Sequence, residues 1–248
     1  MKIVLGNHDR EGDDIELMQH FGLTREYYSF DFQNVHFIAL GTESEYLDMS
    51  EDKAQEQLAF VKSDLENAAS NPNIKWIIPF FHRIMYYDQE GDLVEDLVDP
   101  PDHNLMDIYH PLFEQYGVNL VLQAHIHKYE RTYPLKFNAE DSEDPIITNK
   151  DSSNYPNIDG LVIATVGTGG AFPTGLLVDD DIAAVQYDDI FGFLNVEVSA
   201  DGTTLVGTFY DNDNEGDIKD KFTITKSKSS SSAAAEATVD NNQIISSR

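Results

Sequence analysis

The sequence predicts an α/β protein on three observations. Short apolar, β-branched runs recur along its 248 residues, amphipathic helical stretches separate them, and three of the runs stop at side chains able to bind a metal. In an open α/β sheet, ligand sites form just beyond the carboxyl ends of the strands. Ile3-Val4-Leu5 breaks at Gly6 and delivers Asn7, His8 and Asp9. Trp76-Ile77-Ile78-Pro79-Phe80-Phe81 delivers His82, and Leu120-Val121-Leu122-Gln123-Ala124 delivers His125 and His127. On a helix the i, i+2 spacing would point those two rings to nearly opposite sides; extended backbone puts both on one face. Such a pair binds one metal ion, or one each of two adjacent ions, or is simply a pair of hydrogen-bonded loop histidines. Four of the eight histidines occupy strand-end positions, which favours one site built from three strand ends.

The elements follow in order. Residues 10 to 26 carry Ile15-Glu16-Leu17-Met18, a short helix closing at Gly22, with His20 in its last turn, where the helix dipole favours a cation. Tyr27 to Phe32 and Val35 to Leu40 alternate around Gln33-Asn34 and form a hairpin; His36 lies mid-strand and is structural. Thr42 and Glu43 follow that strand end, as loop residues or as part of the site's lining. Ser50 to Ala69 has a capping-type start and apolar positions at Leu58, Phe60, Val61 and Leu65, which predict an amphipathic helix. Pro79 removes a ladder donor and predicts an edge or a bulge. Residues 87 to 104 form an acidic, proline-bearing surface loop that contains His103. A helix opens at His110-Pro111 and ends at Gly117, before the Leu120 strand. Residues 138 to 159 are an exposed excursion, Leu161 to Val166 a buried strand, and Phe193 to Val198 with Thr203 to Tyr210 a hairpin around Asp201-Gly202. Phe222 to Thr225 is a last short strand. Gly167-Thr168-Gly169-Gly170 has no following helix with a lysine, so nucleotide binding is disfavoured.

Composition bounds the function. Forty-one per cent hydrophobic and 25% charged residues suit a globular chain, but 45 acidic against 16 basic residues give a formal charge of −29. That excludes nonspecific binding to nucleic acid or anionic membranes, and no run is long enough to span a bilayer. The bulk field also repels anionic substrates, so a phosphate ester requires local cations. Cysteine is absent, which leaves His, Asn, Asp, Glu, Tyr and water as metal ligands and suits Zn, Fe or Mn.

Gly6-Asn7-His8-Asp9, His82-Arg83-Ile84-Met85-Tyr86 and His125-Ile126-His127-Lys128-Tyr129-Glu130-Arg131 resemble, in order and spacing, motifs of the calcineurin-like metallophosphoesterases, purple acid phosphatase-like branch. The resemblance covers residues 1–226 as one phosphoesterase domain; residues 227–248 are Ser/Ala-rich and expected to be disordered. It implies a four-layer α/β/β/α sandwich lacking its first βα units, because the family's earlier Asp-x-His and Gly-Asp motifs have no counterpart before Met1. It implies metal-dependent hydrolysis of a small phosphate ester by a metal-activated hydroxide, ideally with two ions of Fe, Zn or Mn. Asn7, His82 and His125 resemble three ligands of one ion, and His127 a ligand of the other. His8 resembles the group beside the leaving-group oxygen, Asp9 the residue that orients it, and His103 a substrate-contacting loop histidine. Glu130 and Arg131 resemble partners that fix the loop, and Ala124 stands where the family has glycine. The ligand count gives an alternative: a catalytically impaired remnant that binds one ion or a protein partner. Relatives of this branch are often exported, so secretion or a cell-surface location is compatible with the resemblance.

Overall fold

The computed structural model describes residues 1–11, 14–86, 104–173, 181–214 and 216–227. After a 3-10 turn (Asn7–Glu11) come α1 (Asp14–His20), β1 (Tyr28–Phe32), β2 (Val35–Ala39), α2 (Ser44–Leu47), α3 (Asp52–Ser70) and β3 (Trp76–Phe80). A π-turn (Leu105–Tyr109) leads into α4 (His110–Gln115), β4 (Leu120–Gln123), β5 (Tyr129–Thr132), β6 (Leu135–Lys136), β7 (Ile146–Ile147) and β8 (Asn154–Pro156). β9 (Val162–Val166), β10 (Ala183–Tyr187), β11 (Gly192–Val198), β12 (Thr204–Asp211) and β13 (Ile218–Thr225) complete the order.

A seven-stranded sheet runs β1-β2-β3-β4-β9-β5-β10, and a four-stranded sheet runs β11-β12-β13-β8. β2, β3, β4 and β9 are mutually parallel, so their carboxyl ends share one edge of the first sheet. Strand alternation gives that sheet two apolar faces. Ile38, Ile77, Val121 and Ile163 face α3 and α4, packing on Val61, Leu65, Leu112 and Phe113. Val35, Trp76, Ile78, Leu120 and Val162 face the second sheet, packing on Leu205, Phe222 and Ile224. Helix, sheet and sheet are thus three layers of the expected α/β/β/α sandwich. Among the described residues no helix covers the outer face of the four-stranded sheet.

Local chemistry explains the boundaries. Gly22 (φ +69°) ends α1 with Gly22 N–H donating to Gln19 O and Leu23 N–H to Met18 O; Gly117 (φ +70°) ends α4 the same way. α3 buries Ala54, Gln57, Val61, Leu65 and Ala68, a 3–4 spacing that leaves Leu58 and Phe60 at the margin. Its start differs from the expected cap: the Glu51 side chain makes no cap bond, and Ser50 Oγ donates to Asp48 Oδ1 instead.

Other readings are corrected. Ile3-Val4-Leu5 enters no ladder; the Tyr28 hydroxyl donates to Ile3 O (2.6 Å) and accepts from Ile3 N–H (3.0 Å), which pairs both backbone groups of Ile3 without a strand. Pro79 lies in an interior strand. Proline brings no ladder donor, and the ladder between β3 and β4 pairs only at Phe80 and Leu122. The excursion at 138–159 folds back as β7 and β8, and Tyr155 within it is fully buried between the sheets. The last strand is eight residues long, and β5 and β10 were not anticipated. The tail from 228 onward and the loop at 87–103, with His103, lie outside the described residues.

Candidate metal centre

The site grows from the shared carboxyl edge of the parallel strands. Phe81 N–H donates to Leu122 O and Ala124 N–H to His82 O, both at 3.1 Å, so the ends of β3 and β4 are stitched together where their ligands emerge. Asn7 opens the 3-10 turn after Gly6, and Asp9 Oδ2 accepts from Gly6 N–H at 2.8 Å, closing that turn. The His82 ring lies against Gly6, where a Cβ would sit 2.6 Å from the ring; only glycine leaves it that room.

His125 breaks from the strand. The ladder stops at Gln123, and Ile126 N–H donates to Ala124 O at 2.8 Å, closing a γ-turn with His125 at φ +64°. The extended His-x-His is therefore corrected, and the positive φ falls on His125, at a cost of roughly 1–3 kcal/mol for a non-glycine residue. Gly167 holds the loop: its N–H donates to Lys128 O at 3.0 Å, and a Cβ there would lie 1.8 Å from Ile126 O.

This brings three donor atoms together. His82 Nε2 is 2.8 Å from Asn7 Oδ1 and 3.1 Å from His125 Nδ1. Arg83 Nη1 stands 3.4 Å from His125 Nε2, while Arg83 Nε and Nη2 donate to the two oxygens of buried Glu43 at 3.2 and 2.9 Å. With Asn7 Oδ1 as the acceptor, no proton assignment on two neutral rings satisfies all three ring contacts. If His82 Nε2–H donates to Asn7, His125 Nδ1 must accept; its proton then sits on Nε2, facing the Arg83 N–H. Burial holds His82 below the usual histidine range, with Glu43 opposing that shift, so its neutral, ligand-competent form is favoured.

The trio fits one divalent ion. Ligand bonds of 2.0–2.2 Å separate neighbouring donors by roughly 2.8–3.1 Å at octahedral angles and about 3.3–3.6 Å at tetrahedral ones, and the contacts seen here match the octahedral spacing. His127 is not in contact with the trio; its Nδ1 donates to Phe172 O at 2.9 Å. Among the described residues no group of three or more His, Cys, Asp or Glu side chains is placed to hold an ion. His8 is exposed on the 3-10 turn. A 450 Å³ groove lined by Glu114, Asn119, Lys136 and Asp159 opens at the amino ends of β4 and β9, at the opposite end of the sheet.

Several residues that shape the site carry no motif. Gln57 on α3 brackets Gly41, accepting from its N–H and donating to its carbonyl, and so presents Thr42 and Glu43. Thr42 Oγ1 accepts from Arg83 N–H at 3.0 Å. Gln123 Oε1 accepts from Met85 N–H, and its Nε2 donates to Thr165 Oγ1. A polar residue interrupting an apolar face was the available signal. Lys128 pairs with Glu130 beneath the loop, and Arg131 forks onto Asp220.

A calcineurin-like phosphoesterase family model matches residues 1–129, more than half of the chain. The chain belongs to this family. Within it the relatives are purple acid phosphatase-like. Purple acid phosphatase 18 of Arabidopsis thaliana is 31% identical over 134 residues, covering 52% of this chain and 27% of the relative. Probable inactive purple acid phosphatase 1 of the same plant is 25% identical over 210 residues, covering 81% of this chain and 30% of the relative. The chain thus spans about three-tenths of the length of these relatives. Purple acid phosphatase PPD1 from yellow lupin (Lupinus luteus) seeds shares the fold at a TM-score of 0.71 and 24% identity, over 90% of this chain and 38% of that one.

Proposed function

We propose that this chain carries the metal-binding end of a phosphoesterase site that hydrolyses small phosphate esters, with Asn7 Oδ1, His82 Nε2 and His125 Nδ1 holding one divalent ion. The observation that carries the reading is the convergence of these three atoms from the ends of β3 and β4 and from the 3-10 turn after Gly6. A bound ion would supply Lewis-acid charge to phosphoryl oxygens and lower the pKa of water. The residues do the rest. His8, exposed beside Asn7, protonates the leaving-group oxygen, and Asp9 keeps the His8 turn closed. His127, with Nδ1 committed to Phe172, has Nε2 to offer a second ion. Zn, Fe or Mn suits these nitrogen and oxygen donors. Family membership supports phosphoester chemistry in general.

A second reading, a catalytically impaired chain holding one ion, is favoured by the trio's lack of a carboxylate ligand. Metal content after dialysis, with p-nitrophenyl phosphate turnover in added Mn, Zn or Fe, separates the two. One bound ion without turnover supports the second reading; turnover lost in His125→Ala supports the first. Retention of the ion by His125→Ala refutes both.

A further inference from the structure

We infer that the groove at the amino ends of β4 and β9 is a seat for a small aliphatic diamine, with one ammonium group against Glu114 and Asn119 and the other against Asp159. This end of the sheet lies opposite the trio, and the inference is independent of the metal reading. A volume of 450 Å³ falls within the range of small-molecule sites. The walls are set before any ligand arrives. Asn119 Nδ2 donates to Gly160 O at 3.0 Å, and Thr148 Oγ1 donates to Asp159 O at 2.7 Å. Leu135 and Leu161 exchange both backbone hydrogen bonds at 2.8 Å, which pins the strand leading out of the groove.

The acceptors in the groove select a cation that carries N–H donors. Asn119 is only 8% exposed, and with Nδ2 committed to Gly160 its Oδ1 meets no donor among the described residues. On Glu114 the protein uses one oxygen: Oε1 accepts from Phe137 N–H at 2.6 Å and stands 3.1 Å from His110 Nε2. Oε2 has no donor among the described residues, so an amide oxygen and a carboxylate oxygen are both left to a ligand. Lys136, the cation of the lining, is already held by both Asp159 oxygens at 3.1 and 3.0 Å. Glu114 and Asp159 against Lys136 leave the lining negative, and the chain's formal charge of −29 adds to the attraction for cations. Pro111 and Ile158 supply apolar wall, which methylenes use and a bare inorganic cation does not. Acceptors on Glu114 and Asn119, a carboxylate on Asp159 and apolar wall in one groove fit two ammonium groups on an alkyl chain.

Opposite signs make the test. Hexamethylenediamine is titrated calorimetrically into the full, metal-free chain at physiological salt, which screens exposed charges beyond about 8 Å. A single saturable site is expected. Glu114→Gln keeps an acceptor for Phe137 N–H but loses the charge, and weakens binding about tenfold. Lys136→Met frees both Asp159 oxygens and tightens binding about threefold, the worth of an exposed ion pair. Hexamethonium has the same chain and charge but no N–H, and binds about tenfold more weakly because Asn119 Oδ1 needs a donor. N-acetyl-lysine methylamide offers one ammonium group, as a lysine of a partner protein would, and also binds more weakly than the diamine. Melting curves confirm that the variants fold. No binding of the diamine at millimolar concentration overturns the inference. Equal binding by Glu114→Gln, or of hexamethonium, assigns the affinity to diffuse surface charge and overturns it too. Unchanged or weaker binding in Lys136→Met overturns the part given to Asp159, and a lysine derivative that matches the diamine overturns the second ammonium seat.

Discussion

Two polar clusters sit on the same sheet and obey opposite rules. Between the sheets, Arg131 donates to Asp220 through Nε and Nη2, to Tyr155 Oη through Nη1 and to Ser152 O through Nη2, while the Tyr129 hydroxyl donates to Asp220 Oδ2. Each donor there meets an acceptor. Burial and the Asp220 carboxylate push the Tyr129 phenol far up, so its proton stays in place. Beyond β3, β4 and Gly6, Asn7, His82 and His125 bring three nitrogen and oxygen donors together. The first network ties the fold; the second is where we propose that a cation binds.

The inter-sheet cluster is where the comparison breaks hardest. Arg131→Met leaves Asp220 buried without its partner, and breaking a buried pair costs about 3–5 kcal/mol. Urea unfolding should show a fall of that size in the metal-free protein. A fall below about 1 kcal/mol would mean the network is not what ties the sheets.

Next is the seam between the clusters. Gly167→Ala drives a Cβ into the Ile126 carbonyl, so the His125 turn must move. Forcing an extra carbon into a packed site costs about 1–3 kcal/mol. Zinc affinity should fall with it, whereas Arg131→Met, once refolded, should bind zinc normally. Normal zinc binding by Gly167→Ala would separate the loop from the trio and remove the reason for the glycine.

Gly167 also shows what the sequence could and could not disclose. Its glycine cluster was visible, but glycine that admits a neighbouring carbonyl looks, in sequence, like glycine that cradles a phosphate. The contact that distinguishes them joins residues 126 and 167 across two strands. The strand-end histidines were legible because apolar runs ending in His-type residues have a local signature. The γ-turn at His125 was not, since positive φ is set here by tertiary packing on a residue that rarely adopts it. β8 and β10 were hidden for a related reason: Asn154-Tyr155-Pro156 has no alternation of its own and becomes a strand only by pairing beside β13. Arg83 is, in sequence, only the neighbour of His82, and its reach to Glu43 and His125 depends on strand ends meeting in space.

The smallest effect tests a third kind of histidine. His36 is bonded at both nitrogens, to Asp31 at 2.6 Å and Asp64 at 2.8 Å, and Ser29 Oγ donates to the other Asp64 oxygen. Burial lowers its pKa, but the bonds to Asp64 and Asp31 outweigh burial, and the net shift is upward. His82 moves the other way, because burial dominates there. A raised pKa means the folded state holds this proton more tightly than the unfolded chain. The stability it adds is complete below about pH 6.5, the unfolded value, and is lost as pH rises through the higher folded value. Asp64→Asn should lower stability by about 1–2 kcal/mol in mildly acidic solution and flatten that slope. Asp31→Asn should do less, because Asp31 is half-exposed and solvent screens it. Zinc affinity should be unmoved in both, since the pair clamps the β1–β2 hairpin to α3, away from the trio. A slope that survives Asp64→Asn would assign the pH dependence to another group and leave His36 a neutral, merely buried ring.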